Sequence, residues 1–507
     1  MNPFSHDMPR RIARLTLAAA LAAWLASACT TVGPAFRAPA EPVPPAHWAD
    51  QHAGSPTLAA SAASEASPLP ADRWQAFSDP ALIALQARVR DGNADLATAA
   101  LRLGESRVQR SIAAAQRRPQ ASVRAGASRQ RQSESGSATR IAGALPAASR
   151  EQALALISEP FMLYQAGFDA SWELDLWGRV SRIVEAADAD SEAARATLAG
   201  LRASLVAEVA REHTELRSTQ RQIALLTRQR AVAADVLGLI DARVAGGLVD
   251  ASTSLRQQSV LADLDARLPP LLDREAEAMR HIEWLCGERP GALAALLARR
   301  PADVGDERSP WPDLSPGVPS TLVARRPDIA AAAAKLHAAT AEIGIAVADL
   351  YPRVTIGASF GSEATSVARF GDWGSRQWQV GPSLSLPIFD AGRRRSTVTL
   401  RELQQQEAAI AYQQVVLKAW HEVDAAITAY EAERKRERHL ADKAHASDEA
   451  LVLSRARFER GMTDALPQLD AERAQLDAER DLVESHGRVG SALVAVIKSL
   501  GDNDGHE

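Results

Sequence analysis

Tyr164-Gln165-Ala166-Gly167-Phe168-Asp169-Ala170-Ser171-Trp172-Glu173-Leu174-Asp175-Leu176 is the stretch on which the fold turns. Every second residue from Tyr164 to Leu176 is apolar or small, and Gln, Gly, Asp, Ser and Glu fill the alternate positions. Successive side chains of a β-strand point to opposite faces, so this ribbon has one greasy and one polar side. The same alternation runs through Trp378, Val380, Pro382, Leu384, Leu386 and Ile388, and through Val123, Ala125, Ala127 and Val354, Ile356, Ala358, Phe360. Four strands are predicted. In a soluble sandwich the greasy faces would pack on a second sheet; in an outer-membrane barrel they meet lipid, and strands of about ten residues suffice to cross. Four strands cannot close a sheet alone, and lipid tolerates no open edge, so closure has to come from other copies of the chain. Three copies of four strands would make twelve, an even number within the bacterial range. Trp172, Trp177, Trp373 and Trp378 fall near strand ends, as an aromatic girdle requires. The polar segments Ser133 to Pro160 and Ser362 to Arg376 are expected as loops facing the exterior.

Helices fill the rest. After Gly178 no proline occurs before Pro269, and Leu205, Val209, Leu216, Ile223, Leu226, Leu237, Ile240 and Val244 fall at spacings of three, four and seven. This is coiled-coil-like periodicity over about 65 residues, or roughly 100 Å of helix. Gly246-Gly247 supplies a helix stop, and Asp250 can cap the returning helix. Gly461 and Asp464 repeat the device. Two long hairpins with tips at these residues are expected.

The repetition is general. Adding 233 carries Asp95 onto Asp328, Leu103 onto Leu336 and Pro119 onto Pro352; adding 214 carries Ser171 onto Ser385, Gly178 onto Gly392, Gly247 onto Gly461 and Gly287 onto Gly501. The chain therefore reads as one unit written twice, each copy a helix, a strand pair and a long hairpin. Residues 81–305 form the first copy, with strands within 121–177, and residues 321–501 the second, with strands within 353–390. Residues 306–320 link the two and 502–507 are a tail.

Ahead of the repeats, Arg10, Arg11 and Arg14 followed by the apolar Leu15 to Leu25 read as an export signal over residues 1–28. It ends in Ala26-Ser27-Ala28-Cys29, a lipoprotein-like cleavage site with Cys29 as the lipidated residue; an ordinary A-x-A site beside a bystander cysteine is the other reading. Residues 29–80, rich in Pro, Ala and Ser up to about Pro70, suit a tether. The 507 residues carry a net charge of -5 with both signs interspersed, so no basic footprint for nucleic acid exists. Beyond the signal no run approaches the roughly 20 consecutive apolar residues of a membrane helix. Cys29 and Cys286 make no disulfide framework, and His213, His421 and His439 lack metal-ligand spacing. No nucleophile triad, paired-carboxylate or phosphate-loop motif stands in plausible context, so no enzyme, cofactor or metal is expected.

Several strings resemble the TolC-like outer-membrane efflux proteins, in particular their NodT-type lipoprotein branch. They are Cys29-Thr-Thr-Val-Gly-Pro-Ala-Phe36, Trp74-Gln-Ala-Phe-Ser-Asp-Pro-Ala-Leu82, Ala166 through Ser171-Trp-Glu-Leu-Asp-Leu-Trp-Gly-Arg179, Arg325-Arg-Pro-Asp-Ile329, Ile343 to Pro352, Pro387-Ile-Phe-Asp-Ala-Gly392 and Leu469-Asp-Ala-Glu-Arg473. Leu500-Gly-Asp-Asn503 departs from the Gly-Gly-Trp ending of many relatives. The resemblance implies a mainly α protein with a membrane β-barrel: a homotrimer whose twelve-stranded barrel is continued by a periplasmic helical tunnel, anchored in outer-membrane lipid. The tips, Gly246, Gly247, Asp250, Gly461 and Asp464, would dock a periplasmic adaptor bound to an inner-membrane RND-type transporter. Rings of Leu466 and Asp470, with Arg473 one turn on, would form the periplasmic gate. The first-copy counterparts, Ser252 and Arg256, differ, so the gate charge would come from the second hairpin. The implied role is a passive exit duct for drugs or other small molecules, with the outlet of a metal-ion or type I protein export system as the alternative.

Overall fold

The computed structural model describes residues 31–37, 74, 77, 79–137, 139–140, 144–299, 311, 326–463 and 466–501. The signal segment, Cys29, Asp464 and the tail 502–507 lie outside the described residues. In chain order the elements are α1 (Pro80–Gly92), α2 (Ala94–Ala115), β1 (Gln120–Gln130), α3 (Ala147–Ile157), β2 (Phe161–Leu174), α4 (Arg179–Ala245), α5 (Ala251–Leu285), α6 (Ala294–Leu297), α7 (Pro327–Ala348), β3 (Arg353–Ala364), β4 (Arg376–Ser385), α8 (Arg393–Glu459) and α9 (Leu466–Ser499). α4 and α8 are 67 residues each, and α5 and α9 are 35 and 34.

The chain divides into two compact units, one comprising residues up to Ala38, Glu105–Ser191 and Ala334–Ala409, the other comprising Pro39–Gly104, Glu192–Ala333 and Ile410 onward. The first unit holds a four-stranded antiparallel sheet in the order β1-β2-β3-β4. Its register lines up one side chain per strand in rows. Val123, Phe168, Phe360 and Trp378 form one row, and Ala121, Ala170, Ala358 and Val380 the next row on the same face. Ser122, Asp169, Ser359 and Gln379 form a row on the opposite face. The alternation read from single strands is thus a property of the whole sheet.

Two expectations need correction. The segment Ser133 to Pro160 is not only loop: it carries the eleven-residue α3, because Ala147 to Ile157 is almost entirely made of good helix formers. The strand pairs end earlier than the alternation does, at Leu174 and Ser385, so Leu176, Trp177, Leu386 and Ile388 are not strand residues. The partner runs out first: Ser385 pairs with Arg353, where β3 begins. One helix, α7, is by length and composition apolar enough to cross a membrane, with mean hydropathy 1.2, but Lys335, His337 and Glu342 interrupt its apolar run and half of that window is buried inside the fold, as in a core helix.

Within the first unit, residues 31–37 are held against the rest at places where only glycine fits. The Val32 N–H donates to the Trp177 carbonyl at 3.1 Å. Gly178, at φ +79°, lies so close to Thr31 that a Cβ there would sit 2.6 Å from the threonine Cγ2. Gly33 meets Gly344 in the same way, and Phe36 stacks on His337 at 4.3 Å between ring centroids. Gly178→Val should therefore combine left-handed backbone strain with a clash, costing about 2–4 kcal/mol. A lowered melting temperature in detergent and faster proteolysis before Arg37 check it; Gly238→Ala, at a helical site with open space around it, should show neither.

The second unit is a packed set of helices. α4 and α5 run antiparallel, joined side by side by Ser254 with Asp241 (2.5 Å), Gln257 with the Ala233 carbonyl (3.0 Å) and Gln220 with Glu275 (3.2 Å). α8 and α9 do likewise through Lys443 with Asp481 (2.9 Å) and Glu437 with His486 (2.6 Å). One core gathers Leu82, Val206, Val423, Tyr430, Val489 and Leu493; a second gathers Leu85, Leu216, Ile282, Leu285 and Cys286. Cys286 is a free, buried thiol, and burial pushes it up to about 11.

Candidate channel wall and hairpin tips

The sheet's two faces differ in chemistry as sharply as its rows suggest. On one side Val123, Phe168, Phe360 and Trp378 are 67%, 61%, 53% and 73% exposed, and Leu384 and Val380 extend the patch. No soluble fold leaves such a contiguous aromatic and aliphatic row bare in every strand of a sheet without something to cover it. On the other side the residues pair with one another: Arg124 with Asp169 at 3.3 Å, Gln165 with Glu363 at 2.8 Å, and Thr355 with Ser383 at 2.7 Å. Strands of 11, 14, 12 and 10 residues match the length needed to cross hydrocarbon. β1 and β4 each have one unpaired edge among the described residues.

Tryptophans mark both ends of the strands. Toward the helices, Trp172 donates its indole N–H to the Arg117 carbonyl at 3.0 Å, and Trp177 donates to Pro352 at 2.9 Å while stacking on Tyr351. Toward the loops, Trp373 lies under the Arg376 guanidinium, 4.1 Å from its ring centre. Amphipathic rings at two levels suit a membrane with two interfaces.

The hairpin tips are built alike. At the first, the Gly247 N–H reaches the Val244 carbonyl and the Leu248 N–H the Arg243 carbonyl, each at 2.9 Å; at the second, Gly461 reaches Phe458 and Met462 reaches Arg457, again at 2.9 Å. Both are Schellman stops, and both Gly247 and Gly461 take φ +70°, which glycine adopts without strain. Gly246, one residue earlier, bonds to Ala242 and is exposed. Asp250 caps α5, accepting from the Ser252 N–H at 2.7 Å, and Ser252 holds its carboxyl below the usual range. The Arg243 guanidinium stands over the Phe458 ring at 4.5 Å, which brings the two tips together.

Leu466, Asp470 and Arg473 are all exposed on α9 and follow one another by four and three residues, so they share one face of the helix. Gln468 and Glu472 take the opposite, buried face. Glu208, Glu212 and His281 bring ligand atoms within 4.8 Å of one another, but Arg211 donates to Glu208 at 2.8 Å and also to Glu212, supplying positive charge there already.

Sequence reading missed two features. Arg326 is 8% exposed and donates to Asp328, to Glu422 and to the Ser499 carbonyl, tying the start of α7 to α8 and α9. The seat of residues 31–37 was also unforeseen, although three glycines, Gly33, Gly178 and Gly344, are its signal.

Four two-faced strands set in a chain of 67-residue helices define a TolC-like outer-membrane channel protomer. The chain belongs to the outer membrane efflux protein family, whose model matches residues 85–287 and 318–502. It is similar to the outer membrane protein OprJ of Pseudomonas aeruginosa, 33% identical over 96% of this chain and 95% of that one. It is also similar to the pyoverdine export outer membrane protein OpmQ of Pseudomonas putida, 30% identical over 97% of each. The solved outer-membrane channel OprN superposes with a TM-score of 0.79 at 31% identity, covering 93% of this chain and 99% of that one. The protein is an outer-membrane efflux channel.

Proposed function

We propose that three copies close their sheets into one twelve-stranded barrel and form the exit duct of a tripartite pump. The observation that carries this reading is the exposed apolar row crossing all four strands between two open edges. Cys29, two residues before the seated Thr31, becomes the lipidated N-terminus, so acyl chain and barrel rim lie side by side in the periplasmic leaflet. The tips at Gly246, Gly247, Asp250, Gly461 and Asp464 dock a periplasmic adaptor, which connects the duct to an inner-membrane RND-type transporter. Drugs or other small molecules are the cargo; the channel performs no chemistry on them. The family relationship supports the export role; similar proteins include a pyoverdine export outer membrane protein and a toluene efflux pump outer membrane protein, which leaves the cargo of this chain a matter for its pump.

The gate is the stripe Leu466, Asp470 and Arg473. Three copies of Leu466 make a dry constriction and three of Asp470 a ring that holds cations. Replacing both residues (Leu466→Ala with Asp470→Ala) should raise single-channel conductance in planar bilayers about fivefold and weaken cation selectivity. Unchanged conductance and selectivity would remove these residues from the gate.

A further inference from the structure

Beneath the gate stripe, α9 buries polar atoms that no described residue satisfies. Gln468 and Glu472 are 8% and 5% exposed and lie one helical turn apart. Gln468 Oε1 and both carboxylate oxygens of Glu472 are sealed from solvent without a hydrogen-bond partner among the described residues. All three are acceptors while the carboxyl is ionised, and a buried acceptor without a donor is costly, an unpaired charge more so.

Among the described residues, the neighbouring helices bring no donor to this spot. From α4, Arg228 and Gln229 reach α9 further along, at Glu479 and the Leu476 carbonyl. From α5, Arg267 is engaged by Asp263 and Asp477. From α8, Arg455 acts on Glu472 through its charge alone, and on α9 itself Asp470 and Arg473 face the other way. One hydrogen relieves most of this: a neutral Glu472 has an O–H to donate to the Gln468 carbonyl oxygen one turn away, which removes the buried charge and reduces the three unsatisfied acceptors to one neutral carbonyl oxygen.

Building on the gate assigned above, we propose that Glu472 is a proton-operated latch for the channel tip. Protonated, it stays between the helices and holds the first turns of α9 in the closed arrangement. Ionised, it is drawn out to water, and because Leu466, Asp470 and Arg473 occupy the opposite face, rotation of the helix end that exposes Glu472 carries them off the constriction. Burial pushes the Glu472 carboxyl above its ordinary value of 4.5, and Arg455 draws it back only in part. A raised value stabilises the closed form fully below 4.5 and loses that contribution as pH rises through the raised value, so alkalinity opens and acidity closes.

The full-length channel in planar bilayers tests this with the tip side buffered from about pH 5 to about pH 8.5. Wild-type conductance at fixed voltage should rise about tenfold across that range, whereas Glu472→Gln, which is neutral at every pH, should stay near the acid level. A Glu472→Gln channel that titrates like wild type overturns the latch. The gate double variant separates the two ideas: if it leaves conductance unchanged at all pH values, the gate assignment fails; if it opens the channel while Glu472→Gln keeps the wild-type response, the latch alone fails. Should Glu472→Gln not assemble, hydrogen exchange on the wild type decides. Amides from Leu466 to Gln475 should lose protection at alkaline pH beyond the intrinsic rate change, and constant protection overturns the proposal.

Discussion

Phe168→Arg should leave the protein out of the outer membrane. Phe168 is the second of four residues in the row Val123, Phe168, Phe360 and Trp378, and 61% of it is exposed on a single chain. A guanidinium there has to lie in hydrocarbon, at about 2–4 kcal/mol per copy near the bilayer midplane. With three copies in the proposed trimer the cost is on the order of 10 kcal/mol, comparable to the whole stability of an ordinary domain. Membrane fractionation should show the variant in the periplasm or degraded, with no heat-modifiable oligomer on gels. Ser359→Arg provides the control, since Ser359 pairs with Asp169 on the polar face and a new cation there meets an acid and water. If Phe168→Arg assembled as well as Ser359→Arg, the greasy face would not be the lipid face.

Arg326→Ala is expected to loosen the packing of the helices in the second unit. Its guanidinium spends its donors on Asp328 (3.1 and 2.8 Å), Glu422 (2.6 Å) and the Ser499 carbonyl (2.9 Å). Removing it leaves the Ser499 carbonyl without its buried donor, takes from Asp328 the cation beside it and leaves Glu422 with Lys418 alone, at 3.6 Å. Asp328 and Glu422 are 46% and 40% exposed, so water recovers part of the loss, and about 2–3 kcal/mol is expected rather than the full cost of breaking a buried pair. Arg326→Lys keeps the charge but not the fork and should recover about half. The pH dependence is a second signature. Burial raises the Asp328 carboxyl, but hydrogen bonding and charge from Arg326 outweigh it and hold the group below its ordinary 3.8. A lowered value stabilises above 3.8 and is lost as pH falls through the folded-state value, so this acid sensitivity should disappear from melting curves of Arg326→Ala.

These two sites show what local sequence can and cannot reveal. Phe168 was legible because a period of two needs only its own strand to be seen, and the register then set four such strands side by side. The glycine stops were legible for the same reason: Gly247 and Gly461 mark where a helix ends whatever surrounds it. Alternation alone overran the strands at Leu176 and Ile388, since it carries no information on where the neighbouring strand begins. Arg326 stood in a quoted motif, yet its partner Glu422 is 96 residues away, and pairing at that distance leaves no periodic trace. Glu472 is harder still. It stands among acids on a charged helix, and only packing separates it from exposed Asp470 two residues earlier.

The bare rims of the sheet bear on how the channel is made. β1 and β4 each present a row of backbone donors and acceptors that another strand could zip onto. If three copies complete one barrel as proposed, a newly exported chain must be shielded from lipid and from unrelated strand-forming chains until its siblings arrive. Biogenesis should then be limited by encounter between subunits, so that its rate climbs steeply with expression level and an undersupplied cell accumulates chaperone-held single chains rather than slow-forming pores.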